Sequence, residues 1–283
     1  MDFFVASAFF VFGAVIGSFL NVLILRFNTG ATLGGRSKCF SCGRELRWYD
    51  LVPVLSFIFL RGRCRFCKSK ISVQYPLVEF ITGFLFWGVF LKFSVFAVPF
   101  STFYLLPFTF DFCILSLLVV ISVYDLKHKI IPDCFAYSFA ILSLVKLLST
   151  VGFSALVVFP RVFDLIAGPA LALPLFLLWL VSSGHWIGLG DSKLALGIGW
   201  FLGFSQGVSA VIIGFWIGAI VGLSMVGFAK LGQSKFAPKF MLKFGLKNLT
   251  LKSEIPFAPF LILGLLIVYF SGVDVMGFGA LGI

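Results

Sequence analysis

The sequence predicts an all-α, polytopic helical membrane protein with about eight transmembrane helices and a small zinc-stapled loop domain on the cytoplasmic side. Three observations predict it. Sixty per cent of the 283 residues are hydrophobic and only 12% are charged, at a mean hydropathy of +1.12, which leaves too little polar surface for a water-soluble globule. The apolar residues fall in runs, most of them near the length of about 20 residues that crosses a bilayer, at roughly 3–25, 73–91, 103–124, 134–150, 162–181, 193–206, 208–229 and 256–273. The one sizeable polar segment, 26–72, carries four of the six cysteines. Alternating ten-residue segments, the mark of a β-barrel, are not visible. The first run is long and lacks a basic leading region, so it reads as a span and not as a cleaved signal peptide.

Charge supplies the orientation. Ten of the 22 Lys and Arg lie between Arg26 and Lys70, six lie between Lys230 and Lys252, and Lys127, Lys129 and Lys193 flank aspartates. With eight alternating spans and the N-terminus outside, these nineteen fall on the cytoplasmic side, leaving Lys92, Lys146 and Arg161 outside. The net charge of +11 therefore expresses topology. Nucleic acid is not the expected partner, because the basic segment has no regular series of stacking aromatics. The chain divides into a first helix (1–25), a cytoplasmic metal-binding loop domain (26–72) and a membrane-embedded helical bundle (73–283).

Taken in order, the first span carries Gly13 and Gly17, spaced for close helix packing. Asn21 follows near its inner end, where an amide either locks the bundle or lines a site. In the polar segment, Cys39-x2-Cys42 and Cys64-x2-Cys67 are separated by 21 residues. Each pair can place two thiolates on one ion, and together they complete a closed tetrahedral Zn2+ site with no open position for catalysis. Disulfides are the alternative, but they are rare on the reducing cytoplasmic side. A segment this short needs such a staple. Cys113 and Cys134 lie in or beside spans and read as small buried hydrophobes. Glu79 sits about one turn inside the second span, costly unless it faces other polar groups; it is either interfacial or part of a site.

Two further carboxylates stand out. Asp125 closes the third span, where a negative charge is disfavoured by the helix dipole, so a structural role does not explain it. Asp133, next to Pro132, suits the first turn of the following helix. Asp111 and Asp164 belong near the outer face. His128 and His185 have no metal-ligand spacing. The stretch Gly188-Leu189-Gly190-Asp191-Ser192-Lys193 sets a carboxylate and a flexible backbone between two apolar runs. Asp191 could be a helix cap, but spans three and five both end on the cytoplasmic side, at the same depth. Two carboxylates that approach closely cannot both ionise easily, which leaves a neutral acid beside a charged base. That is an aspartic-protease arrangement. Gly188 and Gly190 would let an extended peptide approach the backbone, while Lys193 either balances charge or reaches for the headgroups.

The order of GSFLN (Gly17 to Asn21), the paired C-x2-C, YPLVE (Tyr75 to Glu79), D-x6-P-D (Asp125 to Asp133) and GLGDSK (Gly188 to Lys193) resembles the bacterial type IV prepilin leader peptidases, which are GxGD-type membrane aspartic proteases. The resemblance implies that Asp125 and Asp191 are the catalytic aspartates. It implies that prepilins or pseudopilins are the substrates, cut on the cytoplasmic side of the bacterial inner membrane. It also implies N-methylation of the new N-terminus with S-adenosylmethionine in many members, although no Gly-rich nucleotide fingerprint is present. The chain departs from the family pattern at Phe40, where Pro is common, and at Ala258, where Gly is usual.

In the last spans, Gly197, Gly199 and Gly203, then Gly214, Gly218 and Gly222, form small-residue packing faces. Lys235, Lys239, Lys243 and Lys247 recur four apart between Ser234 and Lys252, as in a helix lying against membrane lipid. Three other readings stay open: a GxGD intramembrane protease with a different substrate, a proton-coupled transporter, which would be expected to show inverted repeats, and a zinc-stabilised scaffold indifferent to loss of both aspartates.

Overall fold

The structure is a computed structural model and describes residues 2–30, 32, 34–95, 102–151, 162–232 and 256–277. Among the described residues the chain is helical, with two isolated β-bridges and no strand. The helices are α1 (Asp2–Arg26), α2 (Leu55–Phe59), α3 (Gln74–Val95), α4 (Thr102–His128), α5 (Asp133–Val151), α6 (Val162–Ser182), α7 (Leu189–Leu202), α8 (Phe204–Gly232) and α9 (Ala258–Ser271). All but the five-residue α2 fall at the eight predicted runs. Six of them (α1, α3, α4, α5, α6 and α8) are long and apolar enough to cross a membrane, while α7 and α9 have 14 residues each. The interfacial helix expected between Ser234 and Lys252 lies outside the described residues.

The sixth run differs from expectation in register, starting at Leu189 and not at 193. Glycines set both ends. Gly188 is the N-cap of α7, and the chain leaves the helix at Gly203, whose φ of +82° is accessible to glycine at little cost. The shift brings Asp191 into the first helical turn.

Two compact units comprise residues 1–120 and 121–283, with the boundary inside α4. In the first, α1 packs along α3. A Cβ on Gly13 would stand 2.7 Å from Phe86 Cβ, one on Gly17 2.8 Å from Glu79 Cα, and one on Gly83 2.9 Å from the Phe10 carbonyl. Helices lacking a hydrophobic drive in lipid associate through such contacts. Above them Phe9 stacks on Phe90 with centroids 4.9 Å apart, and Phe86 stacks on Phe112 at 4.2 Å.

In the second unit α7 is central, packed by α5, α6, α8 and α9. Leu194, Ala195 and Ile198 are fully buried, and Gly197 receives the Phe139 ring of α5. A short helix enclosed by protein need not match the bilayer thickness. On α9, Gly264 lies against the Ala210 carbonyl and Gly214 of α8. The break at Gly203 frees the first N–H groups of α8, and Asp164 accepts that of Phe204 at 3.3 Å. Asp164 is thus a cap, and Asp111, also expected at the outer face, is buried. Cys113 and Cys134 are exposed and not buried as expected, because a lipid-facing surface is as apolar as the interior and composition does not separate the two.

A Gly264→Leu substitution forces side-chain atoms into the α8 backbone and is expected to destabilise the protein by about 1–3 kcal/mol or more. Gly227→Ala, where a Cβ meets nothing within 4 Å among the described residues, is expected to be neutral or slightly stabilising. Thermal unfolding in one detergent compares them.

Candidate active site

Asp125 lies in the last turn of α4, and its side chain is turned into the second unit, with the residue 4% exposed. Its Oδ2 accepts the N–H of Ala258 at 3.2 Å, the first residue of α9. The dipole of its own helix disfavours an anion at this end. The unsatisfied N–H groups at the start of α9 supply the opposite partial charge. Pro259 at the second position of α9 marks that start.

Asp191 is the third residue of α7 and is 7% exposed. Its Oδ2 reaches back to accept the N–H of Gly188, the N-cap, at 3.2 Å. The carboxylate therefore does half the work of a capping box from inside the helix and not from the cap position. Asp125 and Asp191 are near enough for their charges to interact. Each uses Oδ2 for one backbone N–H, and among the described residues Oδ1 of either accepts no hydrogen bond.

The segment from Lys129 to Asp133 wraps the start of α7. A Cβ on Gly190 would lie 2.9 Å from Ile131 Cβ, so Ile131 occupies the open face of that glycine. Lys193 Nζ donates to Asp133 Oδ1 at 2.6 Å and lies 5.0 Å from the centroid of the Tyr137 ring. Its ammonium is thus engaged by α5. Among the described residues, Gly188 has only Asp191 Oδ2 as a near side-chain neighbour, 3.4 Å from where a Cβ would stand. The contributions of Ala258 and Ile131 were not anticipated. Pro256 and Pro259 signal a helix start, but nothing local says which carboxylate that start faces.

Asn21 and Glu79 are both buried in the first unit. The Asn21 amide donates to the carbonyls of Gly17 at 3.3 Å and Tyr75 at 3.1 Å, tying the end of α1 to the start of α3, while its buried Oδ1 has no partner among the described residues. Glu79 Oε2 accepts the N–H of Val54 at 2.7 Å.

The four cysteines converge. The Sγ atoms of Cys39, Cys42, Cys64 and Cys67 all lie within 4.8 Å of one another, and Cys39 and Cys67 are 3.8 Å apart. A tetrahedron of thiolates about 2.3 Å from zinc has edges of about 3.8 Å, so the donor set fits that metal. The two pairs sit in matching turns. Cys39 N–H donates to Arg44 and Gly43 N–H to Cys39, just as Cys64 N–H donates to Ser69 and Lys68 N–H to Cys64. Gly43 (φ +69°) and Lys68 (φ +59°) occupy the same left-handed position after the second cysteine of each pair. These turns aim backbone N–H groups at sulfur. Those of Cys42 and Ser41 lower the Cys39 thiol to about 6. The Ser69 hydroxyl and then its N–H lower Cys67. Cys42 goes the other way: despite the Arg44 N–H, burial and the neighbouring Cys39 and Cys67 sulfurs push it up to about 11. Around the cluster, Arg65 forms a 2.8 Å ion pair with the buried Asp50.

Two family models match the chain. One describes the bacterial peptidase A24 N-terminal domain and matches residues 11–93, which include the four cysteines. The other describes the type IV leader peptidase family and matches residues 112–223, which include both aspartates. Among curated relatives, a protein of Myxococcus xanthus is 34% identical over 77% of this chain and 62% of its own length. One of Burkholderia pseudomallei is 33% identical over 75% of this chain and 74% of its own. One of Bacillus subtilis is 27% identical over 96% of both. Each is named prepilin leader peptidase/N-methyltransferase. No solved structure matches the chain. A multi-pass helical membrane protein with a four-thiol cluster, matched by these models and similar to these relatives over most of its length, it belongs to the type IV leader peptidase family.

Proposed function

We propose that Asp125 and Asp191 are the catalytic pair of a membrane aspartic endopeptidase that removes the leader peptide of type IV prepilins or pseudopilins. The observation that carries the proposal is the pair itself. Two buried carboxylates stand in the second unit, each steadied through one oxygen by a helix-terminal N–H, with the other oxygen uncommitted among the described residues. By contrast, the carboxylate of Asp274 has both oxygens bonded, to Ser205 and Ser209.

Two such carboxylates share one proton. The ionised one takes a proton from water as the water oxygen bonds to the scissile carbonyl carbon, and the protonated one donates to the carbonyl oxygen. Collapse of the resulting gem-diol breaks the C–N bond, with a proton delivered to the leaving nitrogen, and returns the pair to its starting state. The substrate backbone would run extended along Gly188 and Gly190, for which Ile131 has to give up its place over Gly190. Lys193, held by Asp133, fixes α7 relative to α5 and so the height of Asp191. Asn21 and Glu79 serve the first unit, Asn21 by tying α1 to α3 and Glu79 by holding Val54.

The zinc ion of the four-cysteine cluster is structural in this reading, since four thiolates leave no site for substrate. The relatives' shared name also carries an N-methyltransferase activity; in this reading it methylates the freed amine, with S-adenosylmethionine as the methyl donor. The sequence carries no Gly-rich nucleotide fingerprint, and no residue of this chain is assigned to that step. The protein sits in the bacterial cytoplasmic membrane with the N-terminus outside and the aspartates at the cytoplasmic face, an orientation supported by the distribution of its Lys and Arg.

Asp125→Asn and Asp191→Asn each keep an acceptor for the helix N–H but not the acid–base chemistry. Each is expected to lower prepilin cleavage by about 10²–10⁴-fold at unchanged thermal stability. Near-normal cleavage by either folded variant refutes the pair. For the metal, elemental analysis of purified protein should find one zinc per chain, released on acidification because protonated thiols do not ligate. Cys64→Ser, at a buried ligand position, is expected to lose zinc and thermal stability together.

A further inference from the structure

The polar segment contains one stretch that does not behave as polar. Between the two cysteine pairs, Leu51, Leu55, Ile58 and Phe59 are exposed, Phe59 at 81%, and Trp48 beside them is 79% exposed. Phe57 of α2 is half-buried, its ring lying over Gly62. In water, large apolar side chains clustered this closely mark a contact surface.

A hydrogen bond fixes where this surface sits. Val54, which precedes α2, donates its N–H to Glu79 Oε2 at 2.7 Å. Glu79 is the sixth residue of α3, a membrane-crossing helix beginning at Gln74, so at 1.5 Å per residue it lies about 7.5 Å inside the helix start. Apolar faces of interfacial helices enter the headgroup–acyl boundary to about 5–10 Å. The exposed apolar surface of α3 itself begins at this level, with Leu77, Phe80 and Ile81. Val54 adopts φ +60° and ψ −51°, a strained conformation for a β-branched residue, of the kind that persists where surroundings over-determine it. Here the buried Glu79 holds the residue that leads into α2 at this level of α3. The chain then leaves α2 through the exposed Arg61 and Arg63, which suit anionic headgroups.

We propose that residues 51–60 are a membrane-interface anchor, with Leu55, Ile58 and Phe59 inserted at the headgroup–acyl boundary of an anionic phospholipid bilayer. Through it the four-cysteine module is held against the membrane surface. This anchor rests on the membrane-spanning character of α3 and is independent of the peptidase chemistry.

The test uses the full chain with p-benzoylphenylalanine placed at position 59. The same photoprobe at position 84, on the exposed face of α3, is the lipid-facing reference. The proteins are reconstituted in phosphatidylethanolamine/phosphatidylglycerol vesicles, irradiated and weighed by mass spectrometry. Phospholipid adducts at 59 within about threefold of those at 84 are expected for an inserted side chain. A yield below about a tenth of the reference overturns the proposal, and so does a cross-link at 59 to a second protein chain in place of lipid. A second readout uses Phe59→Trp, whose added emission is expected to be quenched by brominated acyl chains; quenching by aqueous iodide alone overturns the anchor. Combined Arg61→Glu and Arg63→Glu should lower the adduct yield in these vesicles but not in phosphatidylcholine, and an equal yield in both overturns the preference for anionic lipid.

Discussion

A carboxylate buried in an apolar helical bundle has to be met by donors, and the start of α9 meets Asp125. That one N–H from Ala258 explains why a negative charge is tolerated at the C-terminal end of α4. It also explains why a helix far along the chain ends its approach where it does. Asp191 solves the same problem within its own turn, through Gly188. In both cases the donor is a backbone group that the helix leaves unsatisfied, so neither carboxylate needs a buried cation beside it. The nearest lysine on α7, Lys193, is committed to Asp133. An added cation between the aspartates would hold both ionised, and the acid–base chemistry proposed for the pair depends on their not being so.

Glycine does most of the packing that lets these groups approach. α7 is enclosed because Gly197 and Gly199 admit Phe139 and the Ala167 backbone. α9 reaches Asp125 while lying close on α8 because Gly214 and Gly264 admit backbone on both sides. In lipid, where apolar side chains gain little by leaving their surroundings, backbone contact and dispersion supply the association energy. The same device joins α1 to α3 through Gly13, Gly17 and Gly83, and it buries Glu79 at the level where Val54 can use it. The metal module is thus coupled to the membrane helices through a carboxylate and not through an apolar core, which a segment of its size cannot build.

Much of this was legible in the chain. The membrane class, the eight runs, the pairing of Cys39 and Cys42 with Cys64 and Cys67, and the singling out of Asp125 and Asp191 all follow from composition, run length and spacing. These are local quantities, set by bilayer thickness, by the four-donor geometry of zinc and by the cost of charge at membrane depth. Where local reading went astray, the reasons are local too. The register of α7 was missed by four residues because an apolar run does not show where capping begins. Composition places Asp164 near the outer face but does not show that it caps α8, because the N–H of Phe204 is free only once Gly203 breaks the helix.

Tertiary structure alone decided the partners: Ala258 for Asp125, Ile131 over Gly190, Asp133 for Lys193 and Val54 for Glu79. Each joins residues from different elements, and no periodicity or motif spacing encodes which helix start faces which carboxylate. The sequence on its own determined what kinds of group must be buried and roughly at what depth. Which group satisfies which was settled by helix packing, because a buried donor or acceptor takes the partner that the close approach of backbones brings within 3 Å or so.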